Sequence, residues 1–182
     1  MNENELIRGC QHLDVTAQHM LFKEYSGRLM TICRRYAHDS HEAEDMLQEA
    51  FLKIFKHINQ YKFIGSFEGW IRRITVNAAL QVLQRRKIKY TEIERVENEP
   101  ESSNPSVLSE LGAEDLLKLI SQLPDGYRTV FNLYAVEGYS HEEISVMLKI
   151  GIATSRSQLS KARAMLREKI NSLQQIRVND VR

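Results

Sequence analysis

Trp70, Arg73, Asn77, Gln81 and Gln84 recur at intervals of three and four, so on an α-helix they share one face. An aromatic ring beside a guanidinium and carboxamides suits single-stranded nucleic acid: bases stack on rings while amides bond their exposed edges. The preceding segment, Tyr61-Lys62-Phe63-Ile64-Gly65-Ser66-Phe67, adds more rings and a lysine. Trp70 and Phe67 equally suit a packed core. Lys62, Arg73 and Asn77 have no such use, and they carry more of the binding reading.

A second candidate face lies near the C-terminus. Leu159, Ala162, Leu166, Ile170 and Leu173 form an apolar stripe, and at about 100° per residue Arg156, Ser157, Ser160, Lys161 and Arg163 fall outside it. Arginine fits guanine edges bidentately, and Lys and Ser serve base edges or phosphates. A plain helical bundle with a solvated basic face would look the same at this point.

Groups for catalysis or metal binding are absent from the pattern. The six histidines (His12, His19, His38, His41, His57, His141) make no H-E-x-x-H or similar spacing. Cys10 and Cys33 form no Cys-x-x-Cys pair and cannot make a metal quartet, so they read as reduced, partly buried thiols. No catalytic residue, metal or cofactor is expected.

These faces must be carried by helices. With 182 residues and 42% hydrophobic content the chain can build one larger core or two small ones, and 8 Gly with 3 Pro disfavour a turn-rich all-β fold. Asp14 can cap a helix bearing Leu21, Tyr25, Leu29, Ile32 and Tyr36. Asp39 and Glu42 resemble a capping box before Ala43, Leu47, Ala50, Ile54 and Ile58. After Gly65, Ser66 caps a third helix to about Lys87, with Ile71, Thr75, Ala78 and Val82 on its inner face. Beyond residue 113, helices are expected over Glu114 to Leu123, Tyr127 to Val136, Ser140 to Leu148 (capped by Ser140 and Glu143) and Thr154 to Leu173. The last two, joined by a short turn, have the helix-turn-helix layout. The expected fold is all-α: two small helical domains, residues 1–90 and 113–182, joined by a flexible acidic linker over 91–112.

Net charge is only +1, yet the charges are segregated. Between Ile71 and Tyr90 stand Arg72, Arg73, Arg85, Arg86, Lys87 and Lys89 with no acid; between Lys149 and Lys169 stand Lys149, Arg156, Lys161, Arg163, Arg167 and Lys169 against Glu168 alone. Asp39, Glu42, Glu44, Asp45 and Glu49 reverse the sign. Two basic helices and a separate acidic one suggest two polyanion contacts and a basic protein partner. No run of about eighteen apolar residues is present, and the polar start MNENELIRG does not resemble a signal peptide. A cytoplasmic protein, not inserted in a membrane, is expected.

Together these residues resemble the extracytoplasmic-function (ECF) class of sigma-70-type RNA polymerase sigma factors. The likeness runs through Leu21 to Tyr25, Ala43 to Phe51 (A-E-D-x-x-Q-E-x-F), Gly65 to Ile74 with Asn77, Leu123-Pro124, Val136 to Ile144, and Ser160 to Arg163. The resemblance implies that Asp45, Gln48 and Glu49 dock on the clamp helices of the largest subunit of core polymerase, with Phe51 packed inward. It implies that Lys62, Phe63, Ser66, Phe67, Trp70, Arg73 and Asn77 hold the non-template strand of the minus-ten element as it melts. Arg156, Ser157, Ser160, Lys161 and Arg163 would read the duplex minus-thirty-five element, and the linker would thread near the active-site and RNA-exit channel. It further implies a factor that promotes promoter recognition, melting and initiation without chemistry of its own, monomeric when free and held by an anti-sigma factor. Lys149 stands where the family usually has glycine, with Gly151 two positions on; Ser155 occupies an apolar position, and Gln158 replaces an arginine.

Two other classes compete. A stand-alone DNA-binding regulator would use the C-terminal helices as a dimer on paired half-sites, but the sequence has no obvious coiled coil and leaves the Trp70–Asn77 face unexplained. A helical enzyme lacks catalytic groups.

Overall fold

A computed structural model describes residues 2–90 and 113–180, and for 87–90, 113–115 and 173–180 the backbone alone. The described residues form helices and no β-strand, in two compact units, Met1–Glu94 and Arg95–Arg182. The all-helical, two-domain expectation holds. The expected linker at 91–112, and the side chain of Leu173, lie outside the described residues.

The first unit opens on a helix that the sequence reading overlooked, α1 (Glu3–Gln11). Its start is a reciprocal capping box: the Glu5 N–H donates to Asn2 Oδ1 and the Asn2 N–H to Glu5 Oε2, both at 2.9 Å. Leu6, Ile7 and Cys10 form its buried side. Next come α2 (Val15–Tyr36) and α3 (Ser40–His57). Asp14 Oδ1 accepts the Thr16 N–H at 2.8 Å, and Leu21, Tyr25, Leu29, Ile32 and Tyr36 are all buried as expected. Asp39 Oδ1 accepts the Glu42 N–H at 2.8 Å, but the Glu42 carboxylate takes the N–H of His38, so the box is displaced by one residue.

A 3-10 turn (Ile58–Gln60) and a loop lead into α4 (Phe67–Tyr90), where Ser66 Oγ accepts the Gly69 N–H at 3.2 Å. Ile71, Thr75 and Ala78 face inward, and the Thr75 hydroxyl donates to the Ile71 carbonyl, satisfying a buried polar group. Val76, Ala79, Leu80 and Leu83 are buried as well, while Val82 is only half-buried. The buried side of α4 is wider than a single stripe because the helix packs against both α2 and α3.

The second unit comprises α5 (Ala113–Ser121), α6 (Asp125–Phe131), α7 (His141–Leu148) and α8 (Ile152–Asp180). Leu119, Ile120 and Leu123 pack with Ala162, Leu166 and Ile170, flanked by Leu116, Tyr127, Phe131 and Met165. Burying each large aliphatic chain stabilises by roughly 1.5–3 kcal/mol. The helix expected from Tyr127 to Val136 divides: α6 widens into a π-helical turn (Asn132–Val136), closed by the Glu137 N–H on the Asn132 carbonyl. The last helix starts two residues before the expected Thr154.

Arg128 is buried and staples this unit. Its Nη1 donates to the Ser121 carbonyl at the end of α5 (3.1 Å) and its Nη2 to Asp125 Oδ1 (3.3 Å). The hydrogen bonds offset the cost of removing a charge from water.

Candidate nucleic-acid and protein-docking surfaces

The face anticipated on α4 is present in part. Arg73 and Asn77 are exposed one turn apart, with half-buried Trp70 one turn earlier. Gln81 is engaged by the Lys53 ammonium of α3, which interrupts the face between Asn77 and the exposed Gln84. Phe67 is a correction. Its ring is 1% exposed and packs edge-on against Tyr25 (5.6 Å) and Tyr61 (5.1 Å), so it supports the loop rather than offering a stacking surface. Trp70 lies 5.8 Å from Phe67 and 5.6 Å from Tyr61, rooted in that cluster.

Lys62, Phe63 and Ser66 are exposed on the loop. Phe63 has φ +58° and Gly65 φ +79°. Glycine adopts that conformation freely, whereas for phenylalanine it is strained. The Tyr61 hydroxyl closes the loop by donating to the Gly65 carbonyl at 2.8 Å.

On α8, Arg156, Ser160 and Arg163 fall at intervals of four and three, with Ser157 beside them, and all four are exposed. Lys161 is half-buried at the margin and has an interaction of its own, so it departs from the open face expected for it. Arg156 Nη2 lies 4.0 Å from Glu142 Oε1 on α7. The Glu142 carboxyl is held below its ordinary range by its backbone N–H hydrogen bond at the start of α7, then by Ser140 and the Arg156 guanidinium. The Arg163 guanidinium stands 5.7 Å over the Tyr134 ring, which stacks on His141 at 4.5 Å. Tyr134 and His141 were not singled out for this face, because the π-helical turn that aims Tyr134 has no signature in the hydrophobic period.

The three unusual positions of the helix-turn-helix have structural explanations. Lys149 caps α7 in the left-handed conformation, φ 54° and ψ 45°, the task for which glycine is favoured. Ser155 is fully buried and bonds His141 Nδ1 at 2.9 Å, so a polar contact replaces an apolar one. Gln158 is half-buried against Gly126 of α6, where an added Cβ would meet its side-chain nitrogen at 3.3 Å. It therefore packs within the unit.

The acidic helix α3 carries Asp45 and Gln48 exposed. Glu49 is partly covered, with Oε1 at 3.4 Å from Lys53 Nζ and 3.5 Å from Arg85 Nη2 of α4. Part of the charge segregation seen in sequence is thus neutralised between α3 and α4, and Arg86 likewise reaches Glu42 at 3.4 Å. Leu52, 68% exposed and one turn beyond Gln48, extends the face and was missed by the periodic reading. Phe51 points inward, as expected, against Phe22 and Phe55.

Cys10 and Cys33 are buried and free. Burial, with the Asp14 carboxylate second, pushes the Cys10 thiol up to about 11; burial pushes Cys33 up to about 12. Among the described residues no group of His, Cys, Asp and Glu could hold a metal ion, and no helix is long and apolar enough to cross a membrane.

Two helical units, the second with a helix-turn-helix, suit a class of transcription protein, and comparison with known proteins agrees. Sigma-70 region 2 matches residues 21–88 and sigma-70 region 4 matches residues 113–166. The chain is 34% identical over 154 residues to the ECF RNA polymerase sigma factor SigE of Mycolicibacterium smegmatis, covering 81% of this chain and 59% of that one. It is 28% identical over 185 residues to the ECF RNA polymerase sigma-E factor of Escherichia coli, covering 95% and 96%. The sigma factor RpoE, solved in complex with the anti-sigma factor NepR from Bartonella quintana, shares the fold: TM-score 0.51 at 21% identity, covering 82% of this chain and 96% of that one. The chain belongs to the extracytoplasmic-function class of the sigma-70 family and is a sigma factor for transcription initiation.

Proposed function

We propose that this sigma factor binds core RNA polymerase through α3 and promoter DNA through one face on each unit. Asp45 and Gln48, with Leu52 beside them, meet the clamp helices of the largest subunit; Glu49, tied to Lys53 and Arg85, steadies that face. Lys62, Phe63, Trp70, Arg73 and Asn77 capture the non-template strand at the minus-ten element, with Phe67 beneath them and Ser66 capping α4. Arg156, Ser157, Ser160 and Arg163 read the minus-thirty-five duplex, and Lys161 contributes at its edge. Residues 91–112 connect region 2 (residues 1–90) to region 4 (residues 113–182). The factor works in the cytoplasm and is monomeric when free. An anti-sigma protein holds it inactive by covering the polymerase-binding faces; the solved protein of the same fold is in complex with an anti-sigma factor. Nucleotide transfer belongs to the polymerase.

The observation that carries this reading is the exposure of Arg73 and Asn77 on one unit and of Arg156, Ser160 and Arg163 on the other. Two polyanion faces in one chain suit a promoter contacted twice better than one operator site. Purified chain added to core polymerase should start transcripts at a defined set of promoters. Failure to form a stable complex with core, or initiation no different from core alone, overturns the proposal. Asp45→Lys and Leu52→Glu should each weaken the complex, since a reversed or newly buried charge costs several-fold or more in affinity.

A further inference from the structure

Within itself the loop that presents Lys62 and Phe63 has the Tyr61 hydroxyl on the Gly65 carbonyl and the Tyr61–Phe63 ring contact at 5.4 Å. It has no helical or strand hydrogen-bond ladder, and it contains two left-handed residues, one of them a phenylalanine whose ring is 38% exposed. Such a conformation persists only where its surroundings over-determine it. A further constraint comes from α1, which lies before the residues matching sigma-70 region 2. Gln11 Nε2 donates to the Ile58 carbonyl and to the Tyr61 carbonyl, both at 3.1 Å, spending its two N–H groups on the backbone at the entrance of the loop. One turn earlier on the same face, the Arg8 guanidinium stands 5.5 Å over the Phe63 ring. The α1 helix is itself anchored. Ile7 and Cys10 are fully buried, the Tyr25 hydroxyl donates to Glu3 Oε2 at 2.5 Å, and Tyr25 in turn packs on Phe67 under the loop.

We propose that Gln11 and Arg8 are positioning residues for strand capture: α1 presets the Tyr61–Ser66 loop so that Phe63 is presented to a displaced base, with Arg8 supplying a cation beside it. This rests on the strand-capture reading above. Preorganisation of the loop removes an ordering cost that DNA binding would otherwise bear, and a cation beside an aromatic ring suits a stacked base with its phosphate.

The test uses the full chain and its single tryptophan. Trp70 packs on Tyr61, so its fluorescence reports occupation of the loop. The probe is a short single-stranded DNA enriched from a randomised pool on the wild-type chain. Gln11→Met keeps the side-chain length without its N–H groups, and with Arg8→Ala it should raise Kd about fivefold or more, the low end for losing one stacked base. In a Phe63→Ala background both substitutions should lose their effect, because the ring they position is gone. Wild-type affinity for both variants overturns the proposal. So does an equal loss with and without Phe63, which marks a general effect on folding or charge. An Asn77→Ala control separates the two readings. Binding that depends on Asn77 but not on Gln11 or Arg8 removes this proposal alone, whereas a chain that enriches no single strand removes strand capture with it.

Discussion

His141 Nδ1 and Ser155 Oγ lie 2.9 Å apart, joining α7 to α8 at a point where Ser155 is fully buried. This polar contact, with Tyr134 stacked on the His141 ring at 4.5 Å, helps fix how the last helix is presented. Removing either partner leaves the other unsatisfied or exposes it to water. Ser155→Ala and His141→Ala should each lower the unfolding free energy, and the double variant should show a coupling of about 1 kcal/mol. Urea unfolding followed by far-ultraviolet circular dichroism measures it. A coupling near zero removes the lock.

Lys149 occupies the left-handed cap between α7 and α8, a conformation costing a non-glycine residue about 1–2 kcal/mol. Lys149→Gly relieves that strain but gives the unfolded chain more freedom, roughly 0.4–1 kcal/mol of opposing effect. The net change should be a small gain in stability of the second unit, and Lys149→Val should lose stability. Thermal melts of the two variants check the order, and a more stable valine variant would contradict the turn geometry.

Asn77 is exposed and distant in sequence from the helix-turn-helix, so its effects should be confined to melting. With holoenzyme, Asn77→Ala should reduce open-complex formation by about fivefold or more, the lower range for losing one base contact. Binding to duplex carrying only the minus-thirty-five element should stay unchanged. Arg156→Ala should do the reverse, weakening duplex binding and lowering its salt dependence by about one phosphate contact if it meets the backbone. Equal losses in both assays would contradict the division of labour between the units.

The thiols give the first unit a pH dependence. Cys10 is raised from 9.0 to about 11 and Cys33 from 9.0 to about 12. The folded state therefore holds its protons longer than the unfolded state. This contribution to stability is complete below pH 9 and is lost as pH rises through 9 towards 11 and 12. Unfolding free energy of the first unit should fall over that window, and Cys33→Ala should flatten the slope even though it lowers stability overall. At pH 8 neither thiol should react with a disulfide reagent until the chain unfolds.

Much of this molecule was readable in its residues. The stripes Leu21–Tyr36, Ala43–Ile58 and Leu159–Ile170 are buried as their spacing required, and Asp14, Ser66 and Ser140 cap the helices that follow them. A helix needs only local spacing to declare its buried face. The Asn2-x-x-Glu5 box of α1 was legible by the same rule and was passed over because the segment looked polar. The exposed site residues Arg73, Asn77, Arg156 and Arg163 were also accessible, since they lie opposite apolar stripes.

Sequence alone determined the helical class, the two-part organisation and the family, because periodicity, caps and motif order are properties of neighbours along the chain. Tertiary structure decided which rings face solvent, that Glu49 and Gln81 are occupied by Lys53, that Ser155 answers His141, and that Gln11 reaches the loop at Ile58 and Tyr61. Those facts join residues from different helices. Their energies come from distances and burial that exist only once the helices have packed, so no local pattern could encode them.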